Sequence, residues 1–201
     1  MDALRFFLDQ HARVHASDVS GIASFVDRIL GGISDDQRRL RPGQETNSIA
    51  WLVWHMARTE DVVVNLVVVD NGRQVFDEGW ARRLGVTRPD IGTGMTGDEV
   101  GQLTERLDLA AVRAYRSEVG RRTREVVAAL PSPRWDEIVG PADVARANKV
   151  GAIGPRAGWL VEAWQNHSRA ARLGTVAITH NALHLGEVDT LKGLLGLGPG
   201  R

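Results

Sequence analysis

The sequence predicts an all-α fold: a four-helix up-and-down bundle with one extra helical segment and a long connection between its second and third helices. Three observations carry this expectation. Apolar residues recur at three- and four-residue steps through five segments, Ser/Thr-x-x-Glu/Gln patterns open two helical stretches, and alternation with period two is almost absent. A chain of 201 residues, 43% of them hydrophobic, can bury a full core, so one domain spanning 1–201 is expected.

The first helix is expected over residues 2 to about 31, on the spacing of Leu4, Phe7, Leu8, Val14, Ile22, Phe25, Val26, Ile29 and Leu30, with Gly31 and Gly32 as its stop. Residues 34–37 (SDDQ) have capping-box spacing for a short turn, which Pro42 and Gly43 end before Asn47 or Ser48 caps a second helix over about 48–70. The run from Val62 to Val69 is β-branched. It still reads as helix, because Trp51, His55, Thr59, Val62, Val63 and Leu66 keep helical spacing over a span longer than most strands. Residues 71–97, rich in glycine and holding Phe76 and Trp80, are too long for a simple link and fit a lid over a site. Thr96 and Glu99 frame a second capping box, opening a third helix that runs to Leu130 and closes at Pro131 and Pro133. A Gly- and Pro-punctuated stretch from Arg134 to Gly158 follows. Trp159, Leu160, Ala163 and Trp164 then suggest a helix to about Leu173, broken at Gly174, and the last helix, about 175–196, places Ala177, His180, His184, Val188, Leu191 and Leu195 on one stripe.

Composition removes several classes of function. Basic and acidic residues balance at 25 each, with a sequence pI near 7.0, so there is no field to hold a nucleic-acid backbone or an anionic membrane. The absence of cysteine excludes disulfides, thiolate metal ligands and a cysteine nucleophile together. The N-terminal apolar run breaks at Asp9 and the most apolar stretch is interrupted by Asn65, so a soluble, cytoplasmic protein is expected.

The candidate site rests on three histidines. His180 and His184 are four residues apart on a helix and lie on its apolar stripe, so both rings point inward; His55 occupies the equivalent face of the second helix. Burying an imidazole without a partner costs roughly 1–3 kcal/mol. A hydrogen bond to a carbonyl or carboxylate would satisfy each ring, and so would a shared metal ion: three imidazoles suit Zn²⁺, Fe²⁺, Ni²⁺ or Co²⁺ and leave positions open for water or substrate. Glu187, on the same face, could hold an imidazole's second nitrogen or accept a proton, or be a rim charge. Trp51, one turn before His55, is read as core with the option of walling a pocket. Thr59 could donate to a metal-bound ligand, and Arg58 could pair with a substrate carboxylate. His11 and His15 form a second i, i+4 pair, but Arg13 and Ser17 around them suggest a polar flank, and no third ligand is evident. His167 is read as a surface or pocket-rim residue and Tyr115 as hydrogen-bonded packing.

The segments TNSIAWLVWHMARTED (46–61) and HNALHLGE (180–187), in a four-helix pattern, make the chain resemble the DinB-like superfamily, also called YfiT-like metal-dependent hydrolases, and within it an actinobacterial branch. The resemblance implies a bundle with one divalent metal (Zn, Ni or Fe) held at one end by His55, His180 and His184. It also implies relatives that act as mycothiol- or bacillithiol-dependent transferases, as mycothiol-dependent maleylpyruvate isomerase, or as the amino-terminal domain of sulfoxide synthases. Those synthases use an H-x3-H-x-E run, whereas this chain has H-x3-H-x2-E and no room for their second domain. The leading expectation is therefore a metal-dependent enzyme that activates a low-molecular-weight thiol such as mycothiol, with Glu187 orienting a ligand or relaying a proton and Trp51, Arg58 and Thr59 facing a small-molecule substrate. Two alternatives stand beside it: a metal-dependent hydrolase that activates water, and a non-catalytic, dimeric stress or binding protein with a structural triad. The oligomeric state is left open by the sequence, with a homodimer as one option.

Overall fold

Helix-start chemistry sets the elements in the computed structural model, which describes residues 2–198. Asp2 caps α1 (Ala3–Val14) by accepting the Arg5 amide, and short helices follow at α2 (Ser17–Ser20), α3 (Phe25–Leu30) and α4 (Asp35–Arg39). The single first helix expected over 2–31 is therefore three pieces. His15 and Ala16 are extended, Gly21 turns with φ +74°, and Ser24 with Asp27 builds a capping box that restarts the chain at Phe25. The apolar spacing marks α1 and α3, which bury Phe7, Val14, Val26, Ile29 and Leu30, whereas α2 buries none of its residues.

Ser48 opens α5 (Ile49–Val62), and every residue of that helix is buried. The chain continues as a π-helical turn over Val63–Val68, so the β-branched run is helical, and it is buried all round, as a central helix of this composition must be. Residues 71–97 hold more structure than a loop: a 3₁₀ turn at Val75–Asp77 and α6 (Trp80–Leu84). The expected third helix is two, α7 (Gly97–Arg106), opened by the Thr96/Glu99 capping box, and α8 (Leu109–Ala129), because Leu107 leaves helical geometry and Asp108 caps anew. The punctuated stretch after it contains α9 (Pro141–Lys149), with proline at its start, and the segment after Gly158 is split into α10 (Leu160–Ala163) and α11 (Arg169–Leu173). Gly174 does not break the chain there. It is helical at φ −58°, ψ −41° and begins a π-helical stretch to Thr179 that runs straight into α12 (His180–Leu194). No strand occurs among the described residues, where Ile138 and Ser168 make an isolated bridge, and no helix is long and apolar enough to cross a membrane.

Helix α5 packs against α8 and α12. Around its first half, Leu52, Val53, Met56, Tyr115, Val119, Leu185 and Val188 form one apolar cluster; around Val62–Val68, Val144, Ala147, Leu173 and Ala177 form a second. Two buried polar hubs sit between them. In the first, Asp61 accepts hydrogen bonds from the Tyr115 hydroxyl (2.5 Å), from Arg58, and from the backbone amides of Val75 and Phe76 (2.8 and 2.9 Å), fastening the 71–97 connection to α5. In the second, Glu60 accepts from His11 Nε2 (3.1 Å), His15 Nε2 (2.9 Å), Thr123 (2.7 Å) and Asn181 (2.9 Å), joining α1, α8 and α12 to α5. The expectation of a polar flank at His11 and His15 is thus overturned: both are fully buried, their rings stack at 4.2 Å, and Glu60 supplies the third group. His15 packs so closely on α8 that a Cβ at Gly120 would lie 2.6 Å from its Nδ1.

This hub gives stability a pH dependence of known sign. Burial pushes the His15 pKa down from 6.5 to about 4, Glu60 offsetting part of the shift. Burial alone would raise Glu60, but His15 and the hydrogen bonds from both histidines outweigh it and hold the carboxyl well below 4.5. A depressed folded-state pKa means that the unfolded chain takes up the proton first. Stability is therefore full above pH 6.5 and falls as pH drops towards 4, with the Glu60 contribution lost only below about 4.5. Urea midpoints across this interval are expected to decline steadily; a flat profile would contradict the hub as described.

Candidate metal centre

His55 comes from the middle of α5, while His180 and His184 are the first and fifth residues of α12, where the helix emerges from its π-helical stretch. Such stretches often accompany functional sites because the wider turn re-aims the side chains beyond it. The three rings meet edge to face, with centroids 4.5–5.1 Å apart, and His180 Nε2 lies 3.2 Å from His55 Nε2. One potential ligand atom from each of the three falls within 4.8 Å of the other two.

The outer nitrogens decide the tautomers. His55 Nδ1 is 2.5 Å from the Ile91 carbonyl, which can only accept, so Nδ1 carries the proton. His184 Nδ1 donates in the same way to Glu187 Oε2 at 2.8 Å. Each ring therefore turns a bare Nε2 lone pair inward, the arrangement in which metal-binding imidazoles are held from behind by a carbonyl or carboxylate. Burial lowers the His55 pKa to about 4, and burial with the neighbouring His55 and His184 lowers that of His180 to about 2, so both are neutral at physiological pH. His180 Nδ1 is buried without a partner. Three imidazoles facing one another, with the Nε2 atoms of His55 and His184 left as bare acceptors, suit a divalent cation.

The triad opens into a cavity of about 440 Å³, walled by Trp51, Ile91, Met95, Leu160 and Trp164. Trp51 is both core and wall: it is buried, stacks on His55 at 4.7 Å and 13°, and lines the cavity. Gly92 brings the connecting segment over these rings with φ +85°, and a Cβ there would meet Trp54 at 2.6 Å, so only glycine fits. Thr59 lines the cavity with a hydroxyl that has no partner. Arg58 does not line it. Its guanidinium is buried and engaged by Asp61, Tyr115, Gln74 and the Pro89 carbonyl, which corrects the expectation that it meets a substrate carboxylate. Glu187 has both oxygens occupied, Oε2 by His184 and Oε1 by Asn47 (2.8 Å), so it orients His184. Those hydrogen bonds, the one from His184 foremost, hold its carboxyl below the usual range. His167 is exposed and outside the cavity.

Comparison with known proteins identifies the family. The profile of the DinB superfamily matches residues 25–188, well over half of the chain. The chain belongs to the DinB superfamily. A solved structure described as a conserved protein from Enterococcus faecalis matches this DinB fold with a TM-score of 0.70 at 15% identity, covering 98% of this chain and 99% of that one. No curated protein matches. For this DinB protein, two features behind the triad have no signal in the sequence: the Ile91 carbonyl, a backbone atom in a connection, and Asn47, whose position reads as a helix cap. Glu187→Ala is expected to weaken metal affinity by about 10–100-fold while leaving the fold intact, measured by competition with a chromophoric chelator. Unchanged affinity would mean that His184 needs no support from behind.

Proposed function

We propose that this protein is a divalent-metal-dependent enzyme of the thiol-transferase type, joining a low-molecular-weight thiol such as mycothiol to an uncharged electrophile. The observation that carries this reading is the pair of outward Nδ1–H bonds, to Ile91 and Glu187, which fix two bare nitrogens beside His180 at the floor of an accessible cavity. When bound, the ion supplies Lewis-acid activation that lowers the pKa of a thiol or water. The chain supplies the rest. Trp51 and Trp164 offer flat apolar surfaces for an aromatic or aliphatic group, Gly92 lets the wall approach closely, and Thr59 offers a free hydroxyl to an acceptor on the substrate. No Lys, Arg, Asp or Glu is among the described residues that line the cavity, so the bound ion would be its principal charge and the apolar walls suit an electrophile whose body carries none.

A structural metal site would be closed by a fourth protein ligand. Glu187 is engaged elsewhere and Thr59 is a poor ligand, which favours a catalytic site over the non-catalytic alternative. The test is to mix the metal-loaded protein with mycothiol and a neutral aromatic halide and follow thiol consumption. We expect turnover that depends on both metal and thiol and is absent in His180→Ala. Release of product from a neutral ester at the same rate with and without thiol would instead assign the chain as a hydrolase.

A further inference from the structure

Two buried arginines, Arg116 and Arg172, make no ion pair among the described residues; Arg172 donates to the Ala163 carbonyl, and Arg116 is the one that lines a cavity. Arg116, on α8, is 4% exposed and donates from Nη2 to the Val14 carbonyl at the end of α1 (2.7 Å). Its Nε and Nη1 have no hydrogen-bond partner, and it makes no ion pair among the described residues. The nearest acidic group to act on it is Glu60, whose oxygens are taken by His11, His15, Thr123 and Asn181. Buried guanidinium groups are ordinarily matched by a carboxylate or a phosphate.

Arg116 lines a cavity of about 380 Å³ distinct from the metal cavity. Its walls are apolar: Ala16 after α1, Val26 and Leu30 of α3, and Val53 of α5. The other charged groups that line it are already engaged. Asp27 accepts the Ser17 and Ser24 amides, Asp18 accepts from Ser117 and Arg121, Arg38 donates to the Leu30 and Ile33 carbonyls, and Arg113 pairs with Asp35. Two acids and two bases balance around the rim, which leaves Arg116, acted on by Glu60 only from outside the cavity, as the lining charge whose Nε and Nη1 have no hydrogen-bond partner.

We propose that this cavity binds a small monoanion with an apolar body, such as a short-chain or aromatic carboxylate, with its carboxylate on Arg116. The apolar walls take the body, and the planar fork of the guanidinium takes the head. Such a ligand would sit against α3, α5 and α8, so its binding would also brace the side of α5 opposite the metal cavity.

Titration calorimetry with hexanoate and benzoate, each against its matched alcohol, tests this. Carboxylates also bind metal ions, so the protein is used metal-free and in a His180→Ala background. Both carboxylates are expected to bind at least about tenfold more tightly than the alcohols, Arg116→Gln should erase that preference, and Leu30→Trp, which fills the cavity, should abolish binding of all four. Equal affinity for acid and alcohol, no carboxylate binding, or a preference that survives either substitution overturns the proposal. Should Arg116→Gln fail to fold, Leu30→Trp alone decides.

Discussion

Glu60→Ala is expected to destabilise the protein by about 3–5 kcal/mol, a drop in Tm of roughly 6–20 °C for a chain of this size. The reason is the number of groups that one carboxylate satisfies. Removing it strands the Nε2–H groups of His11 and His15, the Thr123 hydroxyl and the Asn181 amide in a dry interior, and takes away the negative charge that acts on Arg116. Unpaired buried donors cost about 1–3 kcal/mol each, and partial relaxation keeps the sum below simple addition. Glu60→Gln, which keeps the shape and one acceptor oxygen, should recover part of the loss. Chemical denaturation measures both, and a loss below about 1 kcal/mol for Glu60→Ala would show that the hub contributes little.

His180→Ala should reduce metal affinity by more than the roughly 10–100-fold that loss of a group behind a ligand costs, because it removes a ligand itself. The same is expected for His55→Ala and His184→Ala. His11→Ala provides the contrast: it also deletes a buried histidine at i, i+4 spacing, yet should lower stability and leave metal content unchanged. Elemental analysis together with denaturation separates the two clusters. If His11→Ala lost metal and His180→Ala did not, the assignment would be reversed.

Much of this was legible in the sequence, and the parts that were not share a cause. Periodicity and capping boxes gave the helical class, and Thr96/Glu99 and Ser34 open helices where their side chains say they should. Periodicity does not register a turn that leaves the apolar face continuous, which is why the first helix divides at His15 and Gly21 unannounced. The reverse held at Gly174, where tertiary packing carries a glycine through a helix. At the site, i, i+4 spacing marks His180 and His184; the same spacing at His11 and His15 reads as a polar flank because of Arg13 and Ser17, and the third group there, Glu60, is remote in sequence. Residues 55–61 are dense with function because α5 is buried on every side: His55 faces the cavity, Arg58 and Asp61 fasten the connection, and Glu60 ties the outer helices. Reading Arg58 as a substrate contact failed because a helix with no exposed face gives no clue to which neighbour an arginine will choose.

X-ray absorption at the metal edge of the zinc-loaded wild-type protein tests the central claim most directly. Three imidazole nitrogens at about 2.0–2.1 Å with a remaining light ligand that a small thiol replaces by sulfur is the result expected of His55, His180 and His184. Two imidazoles with a carboxylate, the signature of His11, His15 and Glu60, or a closed shell of four protein ligands that no thiol enters, would contradict it.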